Sequence, residues 1–342
     1  MEEDNILVWL PSPMGDAILC TPALRAIRQR FESANITFLG SLTTRQILAG
    51  TNFNDAWLEA EVKDCLFAIA KELKRYKFSQ IILFKNSFGS ALSAFLARIP
   101  IRIGYTRELR SLLLTGKLYP AKLPGGKFKP VSMVDYYLAV ASWLGADTEN
   151  RTLELATDPE KTATVKSKFP EIVDCAEPVV VLVPGGAFGP SKCWPAERFS
   201  QTADWLIDNY NAKVILSVAP HSQEKKIAQK ICGKSKYELI SLAERPVPLG
   251  ELKSLFEMAD LVITNDTGPR HIAIALNRKI ITLFGPNDPL WTDTGYENEI
   301  KLLGTAPCVP CQKPVCRKDT LICMESITTE SVCNAAKKLL KN

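Results

Sequence analysis

The sequence predicts an α/β protein made of two parallel-sheet halves, and three observations carry this. Short β-branched and aliphatic runs recur, each followed by a Gly/Pro turn and then a segment of helical period. The same order returns in a second stretch, giving two halves of about 165 residues each. A chain of 342 residues with 46% hydrophobic and 23% charged composition also suits two cores better than one. This composition excludes disordered and collagen-like chains. The longest uncharged stretch, Pro178 to Ser191, has 14 residues and contains Pro and Gly, short of the ~18 apolar residues of a spanning helix. Met1-Glu2-Glu3-Asp4 lacks the basic flank of a signal peptide. Most of the ten cysteines are therefore expected as reduced thiols.

In chain order, Asn5 to Leu10 reads as a strand. A loop over Pro11 to Asp16 leads into a helix whose Cys20, Leu24, Ile27 and Phe31 share one face. Thr21-Pro22 is expected to restart that helix as cap and first residue. Strands follow at Asn35 to Leu39 and Gln80 to Phe84, with helices at Asp64 to Tyr76 and Val131 to Leu144. The halves are expected to join near Lys161 to Glu177. Then come strand Pro178 to Val183, helix Pro195 to Tyr210, strand Lys213 to Val218, helix His221 to Ile231 and helix Leu249 to Met258. Strand Leu261 to Thr264, helix Gly268 to Leu276 and strand Lys279 to Leu283 close the pattern. Ligands of such sheets lie beyond the carboxyl ends of the strands.

Charge is distributed unevenly. The net charge is +5, and residues 1 to 170 hold 22 Lys/Arg against 17 Asp/Glu. From Lys63 to Lys129 there are 14 basic residues and three acids, a segment suited to nucleic acid, anionic lipid or a phosphorylated substrate.

Three strand-to-helix loops carry chemistry. In the first, Asp16 at a helix start is either a helix cap or a general base. The second, Pro184 to Pro195, combines glycines that admit a phosphate with the point charge of Lys192. It has no Walker A spacing, and no Gly-x-Gly-x-x-Gly follows any strand. The third, Asn265 to His271, offers the Thr267 and Gly268 N–H groups as a diphosphate site, or else Asp266 or Thr267 as a plain helix cap. His271, one of two histidines, is expected to brace this loop. Two phosphate-friendly loops, one carboxylate and a basic first half suggest transfer from a nucleotide-linked donor to an anionic acceptor.

These residues resemble a known family. Gly15-Asp16 with Thr21-Pro22-Ala23-Leu24, Lys192-Cys193-Trp194-Pro195, Asn265-Asp266-Thr267-Gly268-Pro269-Arg270-His271 and Leu283-Phe284-Gly285-Pro286-Asn287-Asp288-Pro289 look like glycosyltransferase family 9, the ADP-heptose:lipopolysaccharide heptosyltransferases. Asn86-Ser87-Phe88, Ile99-Pro100-x-Arg102-x-Gly104 and Glu108-x-Arg110 resemble its heptosyltransferase II subgroup, which adds the second core heptose. The resemblance implies a GT-B fold of two Rossmann-like domains facing across a cleft. An acceptor domain would span 1–165, with a C-terminal helix 328–342 packing back on it, and an ADP-sugar domain 177–327.

The resemblance further implies that Asp16 is the catalytic base of an inverting transfer of L-glycero-D-manno-heptose. Lys192, Glu224, Asp266, Thr267, Gly268 and His271 would bind the donor, and Asn86, Ser87, Arg107 and Arg110 the acceptor. That acceptor would be Kdo-lipid A carrying heptose, met at the cytoplasmic face of the inner membrane, with peripheral membrane contact and no nucleic acid. Lys74, Arg75, Lys77 and Arg98 join Arg107 and Arg110 as candidates for the anion-facing surface. No cofactor is implied for catalysis beyond ADP-heptose as donor substrate. Two features depart from the family: Arg270 stands where Met or Leu is usual, pointing into the donor pocket or outward, and Lys85 replaces a frequent Pro. Other GT-B enzymes (a family-9 transferase of another sugar or a 2-epimerase) and a non-enzymatic anion- or nucleic-acid-binding protein are the alternative readings. Cys308, Cys311, Cys316 and Cys323 lie within 16 residues, open to a structural zinc site, free thiols or disulfides.

Overall fold

The computed structural model describes residues 4–60, 65–186, 188–318 and 320–341. They form two compact units, Met1–Ala156 with Leu290–Thr294 and Thr157–Pro289 with Gly295–Asn342.

The first unit holds β1 (Asn5–Trp9), β2 (Asn35–Gly40), β3 (Ala56–Glu59), β4 (Gln80–Leu83), β5 (Ile101–Tyr105) and β6 (Gly116–Leu118). They form one parallel sheet in the order β3-β2-β1-β4-β5-β6. The second holds β7 (Val179–Val183), β8 (Lys213–Leu216), β9 (Ile240–Ser241), β10 (Leu261–Asn265), β11 (Lys279–Phe284) and β12 (Glu299–Leu303). Its order is β12-β11-β10-β7-β8-β9, again parallel. Both sheets wind the same way: the chain steps outward from its first strand, then returns to that strand's other side. Each therefore has a switch point, at β1/β4 and at β7/β10, where neighbouring loops diverge and leave a crevice.

Burial explains the sequence pattern. Ile6, Leu7, Val8 and Trp9, and Val179 to Val183, have 0–4% exposure, because a central parallel strand covered on both faces reads as a continuous apolar run. The helix restart is real: Met14–Leu19 ends and Thr21–Arg30 begins with Pro22 in its first turn. Its cap is Cys20, however, and the Thr21 hydroxyl donates back to the Ile18 carbonyl at 2.8 Å. The helix expected from Asp64 runs Leu66–Leu73, and Asp64 itself lies outside the described residues.

Two domain expectations are corrected. The chain passes to the second unit after Ala156, and the expected linker is partly the helix Pro159–Lys168. That helix buries Val165 and bonds the Thr162 hydroxyl to Ser254 at 2.9 Å within the second unit. With one buried apolar side chain it shows no helical period. The C-terminal helix Thr329–Leu340 also belongs to the second unit, where Val332 and Ala336 are fully buried with Leu261, Ile281 and Leu206. No helix among the described residues is long and apolar enough to cross a membrane.

Candidate functional sites at the two switch points

In the first unit, the loop after β1 carries Asp16 in the first turn of the helix Met14–Leu19. That helix is capped by Pro13 without a side-chain bond, so Asp16 is not its cap. Its Oδ1 accepts from the Tyr137 hydroxyl at 3.2 Å. Burial raises the Asp16 carboxyl above its ordinary value, partly offset by the Tyr137 hydroxyl and its own backbone N–H. Burial and the nearby Asp16 charge push Tyr137 upward as well, keeping its hydroxyl protonated. Tyr137 is held by Phe84 and Tyr136 at 5.1 and 5.6 Å between ring centres. A partly exposed, raised carboxylate oriented by a rigid donor has the properties of a general base.

The loop after β4 supplies Asn86, whose Oδ1 accepts from Arg110 at 2.9 Å and from the Tyr136 hydroxyl at 3.2 Å. One expectation fails here, and Ser87 gains a structural role. Arg110 is fully buried, its guanidinium spent on Asn86 and on the carbonyls of Tyr105 and Lys85; it braces the β4 and β5 loops and has no face for an anion. The Ser87 oxygen accepts the Ser90 N–H at 3.1 Å and caps the helix Phe88–Leu96. Arg107 differs: its Nε is buried without a hydrogen-bond partner among the described residues, and its guanidinium lies 4.4 Å from the Phe128 ring centre. Lys85 sets its ammonium 5.5 Å over Trp9.

In the second unit the expected donor residues converge. Lys192 Nζ donates to the carbonyl and Oδ2 of Asp266, both at 2.7 Å, linking the loops after β7 and β10. Among the described residues its third N–H carries no hydrogen bond, and the ammonium lies 4.7 Å over Phe188. Burial alone would raise the Asp266 carboxyl, but Lys192 and Arg270 outweigh it and hold it below the ordinary range. Asn287 Nδ2 also donates to Asp266 Oδ2, at 3.1 Å. Two glycines bring the loops together: a Cβ on Gly185 would stand 2.4 Å from the Glu224 carboxyl, and one on Gly186 3.0 Å from Thr267. Glu224 accepts the Ala219 N–H at 2.6 Å, so it lies beneath the glycine loop rather than out in solvent. Thr267 stands at the cap position of the helix Gly268–Ala275 without a side-chain cap bond. Burial takes His271 down to about 3, so its imidazole is neutral, and its Nδ1 is buried with no partner among the described residues.

Arg270 points neither into the donor crevice nor outward. Fully buried, it pairs both ends of its fork with Glu299 on β12, at 2.6 and 2.9 Å, and lies 3.8 Å from Asp266. Glu299 also accepts the Thr282 hydroxyl. Lys192, Arg270, Asp266 and Glu299 thus form a buried group of two cations and two carboxylates, with the half-buried Lys301 ammonium 3.8 Å from Glu299 at its edge. Glu299, Asn287, Asn265 and Tyr137 were not singled out by sequence reasoning. Asn265, the last residue of β10, ties that strand to the β7 loop by donating to the Pro184 carbonyl at 2.7 Å; its place at a switch point is a positional signal.

The family model described as Glycosyltransferase family 9 (heptosyltransferase) matches residues 66–322. The chain belongs to this family. Over 342 residues, 99% of each chain, it is 25% identical to lipooligosaccharide heptosyltransferase 2 of Campylobacter jejuni. Its fold matches a family 9 glycosyltransferase from Veillonella parvula with a TM-score of 0.84 at 23% identity, covering 100% and 99% of the chains. It matches E. coli ADP-heptose LPS heptosyltransferase II at 0.79 and 22% identity, covering 98% of each. The protein is a glycosyltransferase of GT-B fold with two Rossmann-like units.

The cysteine loop of this family 9 chain has a mechanical role. All ten cysteines are free thiols. Among the described residues no three Cys, His, Asp or Glu side chains converge as metal ligands, and the Cys308 and Cys311 thiols lie near enough to Cys323 to help raise it, after burial. Cys323 is buried near Gly285, and the Cys316 thiol donates to the Thr320 carbonyl at 3.8 Å. The loop backbone props the loops after β7 and β11: Ser191 bonds to the carbonyls of Pro314 at 3.2 Å and Lys313 at 2.6 Å, and Gln312 N–H to the Pro286 carbonyl at 2.9 Å. Gly189 is required at this contact, with φ +147° and its absent Cβ 2.4 Å from the Pro314 carbonyl oxygen. Gly189→Ala is expected to lower stability by about 1–3 kcal/mol in urea denaturation; an unchanged midpoint would show that the brace yields freely.

Proposed function

We propose that this glycosyltransferase transfers L-glycero-D-manno-heptose from ADP-heptose to the heptose/Kdo inner core of lipopolysaccharide, adding the second heptose. The Lys192–Asp266 bridge between two glycine-bearing loops carries the reading. Among the described residues it leaves one ammonium N–H unbonded near the first turn of the helix Gly268–Ala275, where Thr267 makes no side-chain cap bond and the backbone N–H groups of a first turn have no partner within the helix. A diphosphate satisfies such groups, and the relatives' names supply the sugar.

The second unit then binds the donor, with Glu224 near the glycine loop as a candidate for the ribose hydroxyls. The first unit binds the acceptor, with Asn86 and Arg107 available to its sugar hydroxyls and anionic groups. The acceptor oxygen attacks the anomeric carbon while its proton passes to the Asp16 carboxylate. The bond from that carbon to the β-phosphate oxygen breaks, its electron pair leaves with ADP, and configuration inverts in the single displacement. Lys192 and the backbone N–H groups stabilise the charge that develops on the leaving phosphate. The acceptor would be met at the cytoplasmic face of the inner membrane.

The test is transfer from ADP-heptose to defined core acceptors carrying zero, one or two heptoses. Inverted product from the one-heptose acceptor alone is the expected result. Transfer only with a different nucleotide sugar, or only to the heptose-free acceptor, overturns the assignment.

A further inference from the structure

We infer that the basic, apolar-tipped surface formed by the β5–β6 connection and the hairpin after β6 is a docking surface for an anionic lipid bilayer. This rests on the reading above, in which the acceptor is a membrane-anchored glycolipid.

The residues are displayed, not packed. Leu109 and Leu112 on the β5–β6 connection are each 93% exposed, and Tyr119, just after β6, is 75% exposed. Residues 121–129 are exposed throughout and form a hairpin, with an antiparallel bridge between Lys122 and Phe128 and a Leu123 N–H bond to the Lys127 carbonyl at 2.8 Å. Arg107 stacked on Phe128 ties this hairpin to the β5–β6 connection. Glu108 and Leu109 both adopt left-handed φ, +51° and +57°, a conformation non-glycine residues rarely hold. The backbone is therefore constrained to present Leu109 to solvent.

Single exposed leucines are ordinary, but here apolar tips alternate with cations. Lys117, Lys122, Lys127 and Lys129 are exposed among them, and after Glu108 no acid occurs until Asp135. That chemistry fits a bilayer with anionic headgroups, where lysines meet phosphates and Leu, Tyr and Phe side chains enter the headgroup boundary. Aliphatic tips have no use on nucleic acid, where bases stack on aromatic faces. The placement also suits the acceptor: the hairpin leaves β6, and residues 106–110 leave β5, at the carboxyl ends of parallel strands, the same sheet edge at which Asp16 follows β1.

Co-sedimentation of the full chain with phosphatidylethanolamine–phosphatidylglycerol vesicles containing no lipopolysaccharide tests the surface. Binding is expected, with far less on phosphatidylcholine. The triple variant Lys122→Gln/Lys127→Gln/Lys129→Gln is expected to weaken partitioning by about 100-fold, roughly fivefold for each charge lost. Leu109→Ser/Leu123→Ser should weaken it about tenfold. Both variants should retain transfer to a water-soluble, delipidated acceptor. Equal sedimentation of wild type and variants, or no binding of wild type to anionic vesicles, overturns the proposal. So does loss of transfer to the soluble acceptor with vesicle binding intact, which would make the surface a sugar site. Vesicle binding by a chain that transfers no heptose to any acceptor supports the surface and overturns the proposed reaction instead.

Discussion

Asp16→Asn is expected to lower turnover by roughly two to four orders of magnitude while leaving ADP-heptose binding intact, because it removes the proton acceptor and no donor contact. The amide is isosteric and can still accept the Tyr137 hydroxyl bond seen at 3.2 Å, so the local fold should survive. Single-turnover transfer and calorimetric donor binding together check this, and near wild-type turnover would sink the base assignment. The raised carboxyl adds two signatures. The acid limb of kcat/KM should lie above the ordinary carboxylate range, and Tyr137→Phe, which removes a bond that lowers Asp16, should move it further up. Stability carries the second. The folded protein holds the Asp16 proton more tightly than the unfolded chain, so this group's contribution declines as pH rises from 3.8 through its folded value, and the penalty is complete above that value. Asp16→Asn should therefore melt at a higher temperature than wild type at neutral pH, the reverse of the usual effect of a mutation at a buried site.

Arg270→Met is expected to destabilise this protein by about 3 kcal/mol, because it removes both guanidinium hydrogen bonds from a buried Glu299 carboxylate and leaves it the Thr282 hydroxyl and the more distant Lys301 ammonium at 3.8 Å. Both side chains are fully buried and joined by two hydrogen bonds. Arg270→Met/Glu299→Leu, which removes both charges, is expected to recover most of the loss. Urea denaturation of the wild type, the two single variants and the double variant measures the coupling; additive losses would show that the pair is not the unit of stability. The donor site should register the same change. Arg270 helps hold the Asp266 carboxyl low, so Arg270→Met should weaken donor binding, and the charge-free double variant should stay weakened while its stability returns. Arg270 then acts through Asp266 as a positioning residue, since Glu299 turns its guanidinium away from the crevice.

Local chemistry made much of this protein legible. Continuous apolar runs such as Ile6 to Trp9 and Val179 to Val183 read as buried parallel strands because helices cover both faces. The loops at 11–16, 184–195 and 265–271 stood out because glycine, proline and a lone charge after such a run mark the carboxyl end of a strand. Where helices had one buried apolar residue, as in Pro159–Lys168, no period was visible and a linker was expected instead. The resemblance assigned the C-terminal helix to the wrong unit, since its amphipathic face shows that it packs but not on which core.

The sequence by itself determined the α/β class, the doubled architecture, the family and the loops at the carboxyl ends of the strands. Only the tertiary structure decided what each charged side chain does there. Arg110 looked like an anion binder and is a buried brace; Arg270 looked like an altered donor contact and is half of an ion pair 29 residues away in the chain. Asp16 meets Tyr137 across 121 residues, and Glu224 lies beneath Gly185. The reason is physical: a strand or turn is selected by its own few residues, whereas the environment of a charge is set by the strand and helix that the sheet order places beside it.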